Sequence, residues 1–210
     1  MKNIIVIADF DETLIEQNTL IEVYRDLTDI PLAVSVMRAF FGGRRAWRAP
    51  RAAIKAEMYR RMLRGKSESD LVVAGREIAR RVTLNPPVVS RVRQFSTQGS
   101  ELIVASAALT QIVETILEEK GLGFSRVVAT RAELDAGKLT GNLVEGECFG
   151  KIKAHRVREF HDTFHPGAYM VAFGNWPDDA PMLLEADEAY IVTGNTIKRF
   201  HDKNKGNLPQ

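Results

Sequence analysis

Two aspartates, Asp9 and Asp11, follow directly after an apolar run at residues 3–8 of the sequence. Carboxylates this close together repel each other, and burial strengthens the repulsion, so they need a cation or a shared proton. A hard divalent ion such as Mg²⁺ prefers oxygen ligands and would meet this need. A turn that carries two solvated acids is the other interpretation of the Asp-x-Asp spacing alone.

Strand and helix patterns alternate around this pair. Residues 109–121 have the apolar spacing of a helix, and residues 137–146 predict a hairpin that turns at Gly141–Asn142. The alternation predicts an α/β protein with a doubly wound parallel sheet, in which ligands bind beyond the carboxyl ends of the strands. Short runs rich in Ile, Val and Ala predict the buried strands, at residues 3–8, 101–106, 126–130, 168–173 and 188–193.

The stretch between residues 16 and 85 breaks the alternation, because it contains helical signals and no convincing strand. Pro50 is expected in the first turn of one helix. Ser67 to Asp70 resembles a capping box ahead of another helix, and Pro86 is expected to open the helix that follows. We predict an all-helical insertion in this stretch.

The bulk composition limits the classes of function. The chain has 210 residues, enough for one sizeable core, and its net charge of +2 gives no general indication of nucleic-acid binding. The one cysteine, Cys148, cannot form an internal disulfide, and no apolar run is long enough for a membrane span. These features predict a cytoplasmic protein without membrane insertion. Residues 38–66 hold ten Lys or Arg and one acid, which predicts a solvated face or a surface for an anionic ligand.

Four short motifs appear in order along the chain. "DFDET" at residues 9–13 resembles the first motif of the haloacid dehalogenase-like (HAD) hydrolases, and "LIVASAA" places Ser106 at the second. "CFGKIK" resembles the Cys-x-Gly-x-x-Lys third motif of phosphoserine-phosphatase-like members, with Lys153 as its lysine. "FGNWPDDAPML" resembles the fourth motif, Gly-Asp-x-x-x-Asp, with Asn175 and Asp179 at its two acidic positions.

The resemblance implies a role for the residues of the first and fourth motifs. Asp9 would be the nucleophile that attacks phosphorus, and Asp11 would protonate the leaving oxygen and later deprotonate water. Thr13 would take part in phosphate binding and would orient the turn by hydrogen bonding. Mg²⁺ would bind Asp9, the Asp11 carbonyl oxygen, Asn175 and Asp179. An amide at position 175 in place of the family's acid is expected to weaken metal binding.

The second and third motifs would hold the phosphate. The Ser106 hydroxyl, at a strand end just before a helix, and the Ala107 amide would bind its oxygens, and Lys153, or Lys151 in its place, would hold it beside the nucleophile. Asn18 stands where phosphoserine phosphatases carry a glutamate, so a substrate amino group would lose its anionic partner and phosphoserine itself is disfavoured.

These expectations together predict an Mg²⁺-dependent phosphomonoester hydrolase that acts on a small phosphorylated metabolite, without a nucleic-acid partner. Its HAD-type Rossmann-like core would comprise residues 1–15 and 86–210, and its helical cap domain residues 16–85. Two alternatives stay open. One is a phosphotransferase on the same fold, and the other is a catalytically silent phosphate-binding module that lost activity with the acid at position 175.

Overall fold

The computed structural model describes residues 3–40 and 49–200. The strands in this part of the chain are β1 (Ile4–Ala8), β2 (Glu101–Leu109), β3 (Arg126–Asp135), β4 (Lys138–Val144), β5 (Tyr169–Asn175), β6 (Glu188–Thr193) and β7 (Thr196–Phe200). The helices are α1 (Thr19–Leu27), α2 (Leu32–Phe40), α3 (Pro50–Leu63), α4 (Glu68–Arg81), α5 (Pro86–Thr97), α6 (Thr110–Glu119), α7 (Gly150–Phe164) and α8 (Ala180–Glu185).

The described strands form one sheet in the order β4-β3-β2-β1-β5-β6-β7. β3, β2, β1, β5 and β6 run parallel, while β4 and β7 pair antiparallel at the two edges. This confirms the predicted doubly wound α/β core. Because β1 lies between β2 and β5, the carboxyl ends of these three strands meet, and the motif residues that follow them are brought together.

Both faces of β1 are covered, as its unbroken apolar sequence predicts. Val6 and Ala8 join a buried cluster with side chains of α3, α4, α5 and α6. Ile5 and Ile7 point to the opposite face and join a cluster with side chains of α7 and α8. Full burial of an Ile or Val side chain contributes about 1.5–3 kcal/mol to the stability of the fold. The buried strand β1 therefore gives firm support to the residues that follow it.

Helices α1 to α4 lie between β1 and β2 in the chain. The stretch that contains them begins and ends at one place, because Glu16 N–H donates to the Thr83 carbonyl over 3.0 Å and Asn85 N–H donates to the Leu14 carbonyl over 2.9 Å. The division of the chain into a core and a cap domain stays a prediction.

The predicted helix starts are confirmed. Pro50 and Pro86 are the first residues of α3 and α5. Ser67 forms the capping box with Asp70, whose carboxylate accepts from the Ser67 N–H over 2.7 Å. Residues 41–48 of the basic segment lie outside the described residues. None of the described helices is long and apolar enough to cross a membrane.

The turn predicted at Gly141–Asn142 was wrong. β3 and β4 are joined by Ala136 and Gly137, which both have positive φ angles (46° and 77°), as a two-residue hairpin turn requires. Gly141 lies inside β4 instead. A β-carbon there would come within 3.0 Å of the Arg60 carbonyl oxygen, so this glycine allows α3 to approach the strand. The short, charged edge strand β7 was not predicted.

Helices α4 and α6 pack at Gly75, where a β-carbon would lie 2.8 Å from the Thr115 Cβ. Gly75→Val should therefore separate the two helices and lower the free energy of unfolding by about 2 kcal/mol or more. Gly123→Val is the matched control because nothing lies within 4 Å of a β-carbon there, and it should change stability by no more than about 0.5 kcal/mol. Equal stabilities in urea denaturation would contradict this packing.

Candidate active site

The chain leaves β1 in one wide turn, Phe10–Leu14, and the Ile15 N–H closes this turn by donating to the Phe10 carbonyl over 3.1 Å. The first and last residues of the turn are fully buried, which anchors it to the core. Asp9 and Asp11 consequently line the same cleft at the carboxyl end of the sheet.

Both carboxylate oxygens of Asp9 are held by buried donors. The Thr13 hydroxyl donates to Asp9 Oδ2 over 2.9 Å, and Lys153 Nζ donates to Asp9 Oδ1 over 2.7 Å. Lys153 Nζ also donates to Asp179 Oδ1 over 2.6 Å. Asp9 is 4% exposed, and Lys153 and Asp179 are each 2% exposed. A buried ammonium therefore lies between two buried carboxylates. Lys151, the alternative lysine, is exposed.

The charges in this cluster are unequal. Burial alone would lower the pKa of Lys153, but the Asp9 and Asp179 carboxylates outweigh it and raise that pKa above its usual range. Burial, followed by the charge of Asp9, raises the pKa of Asp179. Two carboxylates thus share one ammonium, and the excess negative charge calls for a proton or another cation.

Asp11 is held by Thr19, the first residue of α1. The Thr19 N–H and hydroxyl donate to the two oxygens of the Asp11 carboxylate, each over 3.1 Å. Burial, and next the charge of Asp9, raises the pKa of Asp11 to about 7. A carboxyl group with this pKa can both give and take a proton at neutral pH.

Ser106 lines the cleft from β2. The sequence indicated that a helix follows Ser106 directly, and this was wrong. The pairing of β2 with β3 shifts between Ser106 and Leu109, and α6 begins only at Thr110. In this bulge the Ala108 N–H donates to the Ser106 hydroxyl oxygen over 3.0 Å. The bulge turns Ala107 and Ala108 towards the cleft, which they both line.

Two residues of the fourth motif form a hydrogen bond with each other at the end of β5. The Asn175 N–H donates to Asp179 Oδ2 over 3.0 Å, so both oxygens of this carboxylate are bonded. A β-carbon on Gly174 would lie 2.7 Å from the Asp179 carboxylate, which explains why glycine precedes Asn175. Asn175 and Asp178 line the same cleft as Asp9.

Four further residues of the cleft were not predicted from the sequence. Glu147 Oε1 accepts from Lys55 Nζ over 2.8 Å and from the Tyr59 hydroxyl over 3.2 Å. The Lys55 ammonium lies 5.0 Å from the centre of the Phe149 ring. The four-residue spacing of Lys55 and Tyr59 indicates one helix face, but no local pattern connects that face with Glu147.

The sequence of the chain matches the model of a known protein family. A family model described as haloacid dehalogenase-like hydrolase matches residues 6–184, which is most of the chain. The chain belongs to this family. The resemblance given by the four motifs is thereby confirmed.

Comparisons with individual proteins found similarity to phosphoserine phosphatases. The chain is 28% identical over 130 residues to a phosphoserine phosphatase of Streptomyces coelicolor, and the match covers 61% of this chain and 31% of that protein. The chain thus spans about a third of this relative's length. A solved structure described as a phospho-aspartyl intermediate analogue of phosphoserine phosphatase has a TM-score of 0.60 at 20% identity, covering 90% of this chain and 86% of that one. A protein of unknown function from Bordetella pertussis Tohama I has a TM-score of 0.66 at 18% identity, covering 90% and 89%. These structures show the shared fold.

HAD phosphatases use Mg²⁺, and the donors at this cleft fit such an ion. Asp9, Asp11, Asn175 and Asp179 all line it, all offer oxygen atoms, and the carboxylates exceed the neighbouring Lys153 charge. Within residues 3–40 and 49–200, no three His, Cys, Asp or Glu side chains are grouped so that they could hold a metal alone. The Asn175 amide and a main-chain carbonyl would therefore have to complete the set.

Lys153→Met tests whether Lys153 compensates the charge of the two buried carboxylates. In the presence of EDTA we expect the free energy of unfolding to fall by about 3–5 kcal/mol, because two buried carboxylates lose their counter-ion. The loss should be larger at pH 8 than at pH 5, where one carboxyl can take up a proton. Lys151→Met removes the same charge from an exposed position and should leave stability almost unchanged. Equal effects of the two substitutions in chemical denaturation would refute a buried, charge-balancing Lys153.

Proposed function

We propose that this protein is an Mg²⁺-dependent phosphomonoester hydrolase that acts on a small phosphorylated metabolite through an aspartyl-phosphate on Asp9. The observation that carries the proposal is the buried Asp9 carboxylate, which Thr13 and Lys153 fix in the same cleft as Asp11 and Ser106. The similarity to proteins described as phosphoserine phosphatases also supports hydrolysis of a phosphoester.

Asp9 performs the nucleophilic step in this proposal. One of its carboxylate oxygens attacks phosphorus, the bond from phosphorus to the leaving oxygen breaks, and an acyl phosphate forms. The hydrogen bonds from Thr13 and Lys153 restrict the rotation of the carboxylate, so less orientational freedom is lost on reaching the transition state. Water then attacks phosphorus, and the Asp9 carboxylate is released.

Asp11 moves the proton in both steps. Its pKa of about 7 leaves a substantial protonated fraction at neutral pH, and this proton passes to the leaving oxygen. The resulting carboxylate then takes a proton from the attacking water. The two hydrogen bonds from Thr19 hold the group in one orientation.

Ser106, the Ala107 amide and Lys153 bind the phosphoryl group. A hydroxyl, a main-chain N–H and an ammonium stabilise the charge that gathers on the phosphoryl oxygens as the transition state is reached. Lys153 keeps its proton because two carboxylates flank it.

Asp9, the Asp11 carbonyl oxygen, Asn175 and Asp179 would hold Mg²⁺, with Asp178 as a further nearby carboxylate. Bound Mg²⁺ supplies positive charge that lets a phosphate dianion approach a carboxylate nucleophile.

The substrate is proposed to lack a free amino group near its phosphate. Asn18 stands where the related phosphoserine phosphatases carry an acid, and its side chain accepts from the Leu20 N–H over 3.2 Å at the start of α1. Glu147 is already paired with Lys55.

We also propose that residues 16–85 form a cap over the cleft, since Lys55 and Tyr59 line it. A cytoplasmic location stays a prediction.

Asn175→Asp should strengthen Mg²⁺ binding by about tenfold or more, because it adds a negative charge at a proposed ligand. Calorimetry, or the fluorescence of the neighbouring and exposed Trp176, would measure the dissociation constant without any need for turnover. Asn195→Asp makes the same charge change in an exposed turn of the chain and is the control. Unchanged affinity in Asn175→Asp would remove Asn175 from the ligand set.

Hydrolysis of p-nitrophenyl phosphate with and without Mg²⁺ tests the function itself. We expect turnover that requires Mg²⁺ and is lost in Asp9→Asn but kept in Asp29→Asn, which makes the same change at an exposed position. Phosphorylated product in the presence of alcohol acceptors would instead indicate the phosphotransferase. Activity that appears only after Asn175→Asp would favour the catalytically silent module.

A further inference from the structure

We propose that Thr130 is the positioning residue that joins the two phosphate-binding segments of the cleft, an inference that rests on the function proposed above. Thr130 lies on β3 and is fully buried. Its hydroxyl donates to the Ala107 carbonyl over 2.7 Å and accepts from the Cys148 N–H over 2.9 Å. One hydroxyl thus bonds the bulge of β2 and the segment that precedes α7.

The bulge creates the need for this hydroxyl. The pairing of β2 with β1 ends at Val104, and its pairing with β3 passes from Ser106 to Leu109. Neither register gives Ala107 a partner in the sheet, so its half-buried carbonyl depends on a donor from outside the ladder. The Thr130 side chain supplies that donor.

The Tyr59 hydroxyl also lies near the Ala107 carbonyl, at 3.4 Å. A tyrosine hydroxyl has a single proton, and the Glu147 carboxylate lies closer, at 3.2 Å. Because a charged acceptor forms the stronger hydrogen bond, the Tyr59 proton is directed to Glu147. Thr130 is therefore the residue that fixes the Ala107 peptide.

The same hydroxyl fixes the start of α7. Cys148 lies two residues before the first residue of that helix, and Lys153 lies in its first turn, where its N–H donates to the Phe149 carbonyl over 3.4 Å. Holding the Cys148 amide against β3 sets the distance between the bulge of β2 and the lysine bonded to Asp9. Both groups would contact the same phosphate, so a shift in this distance weakens their joint binding.

Thr130→Val tests this role, because it keeps the side-chain shape and removes the hydroxyl. The probe is inorganic phosphate, with binding measured by calorimetry and with hydrogen exchange followed in residues 105–109 and 147–150. We expect phosphate to bind about tenfold more weakly and both segments to exchange faster. Thr130→Ser keeps the hydroxyl and should restore both properties.

Thr115→Val is the matched control. Thr115 is also buried, and its hydroxyl donates to a carbonyl within α6, that of Gln111, over 2.7 Å. It should keep wild-type phosphate affinity even where stability falls.

Three outcomes are decisive. Wild-type affinity and exchange in Thr130→Val would overturn the inference, and so would a Thr130→Ser protein that binds phosphate as weakly as the valine variant. A wild-type protein that binds no phosphate, while Thr130→Val still loosens both segments, would overturn the proposed function and support the positioning role.

Discussion

The buried contact of Lys153 with Asp9 and Asp179 is the interaction on which the rest of the site depends. It brings together a residue after β1, one in the first turn of α7 and one after β5. Charges in the interior persist only when they are paired and hydrogen-bonded, so these three elements must keep their relative positions. The remaining negative charge makes the cleft favourable for a further cation.

Departures from regular structure at the strand ends direct main-chain and side-chain groups into the cleft. The wide turn after β1 presents two aspartates, and the bulge in β2 presents Ala107 and Ala108. Such irregular backbone leaves main-chain groups without partners in the sheet, as at Ala107, and threonine hydroxyls bond both such groups and the neighbouring carboxylates. Thr13, Thr19 and Thr130 each bond a group of the site from a buried position.

The sequence predicted much of this site because buried strands and the motifs at their ends are local signals. Asp9, Ser106 and Asp179 lie where a parallel sheet brings the ends of its strands together. Lys153 and Lys151 are two residues apart in a helix, about 200° around its axis, so only one could face Asp9, and the packing of α7 decides which. The pairing of Glu147 with Lys55, and the close approach of α3 to Gly141, depend on contacts between distant parts of the chain, which no local pattern contains.

The central claim is that Asp9 carries the phosphoryl group during turnover. The most direct measurement is to quench the protein during its reaction with p-nitrophenyl phosphate and Mg²⁺, reduce any acyl phosphate with borohydride, and locate the product by peptide mass spectrometry. We predict that residue 9 is converted from aspartate to homoserine. Turnover without this conversion, or with conversion at another residue, would contradict the account.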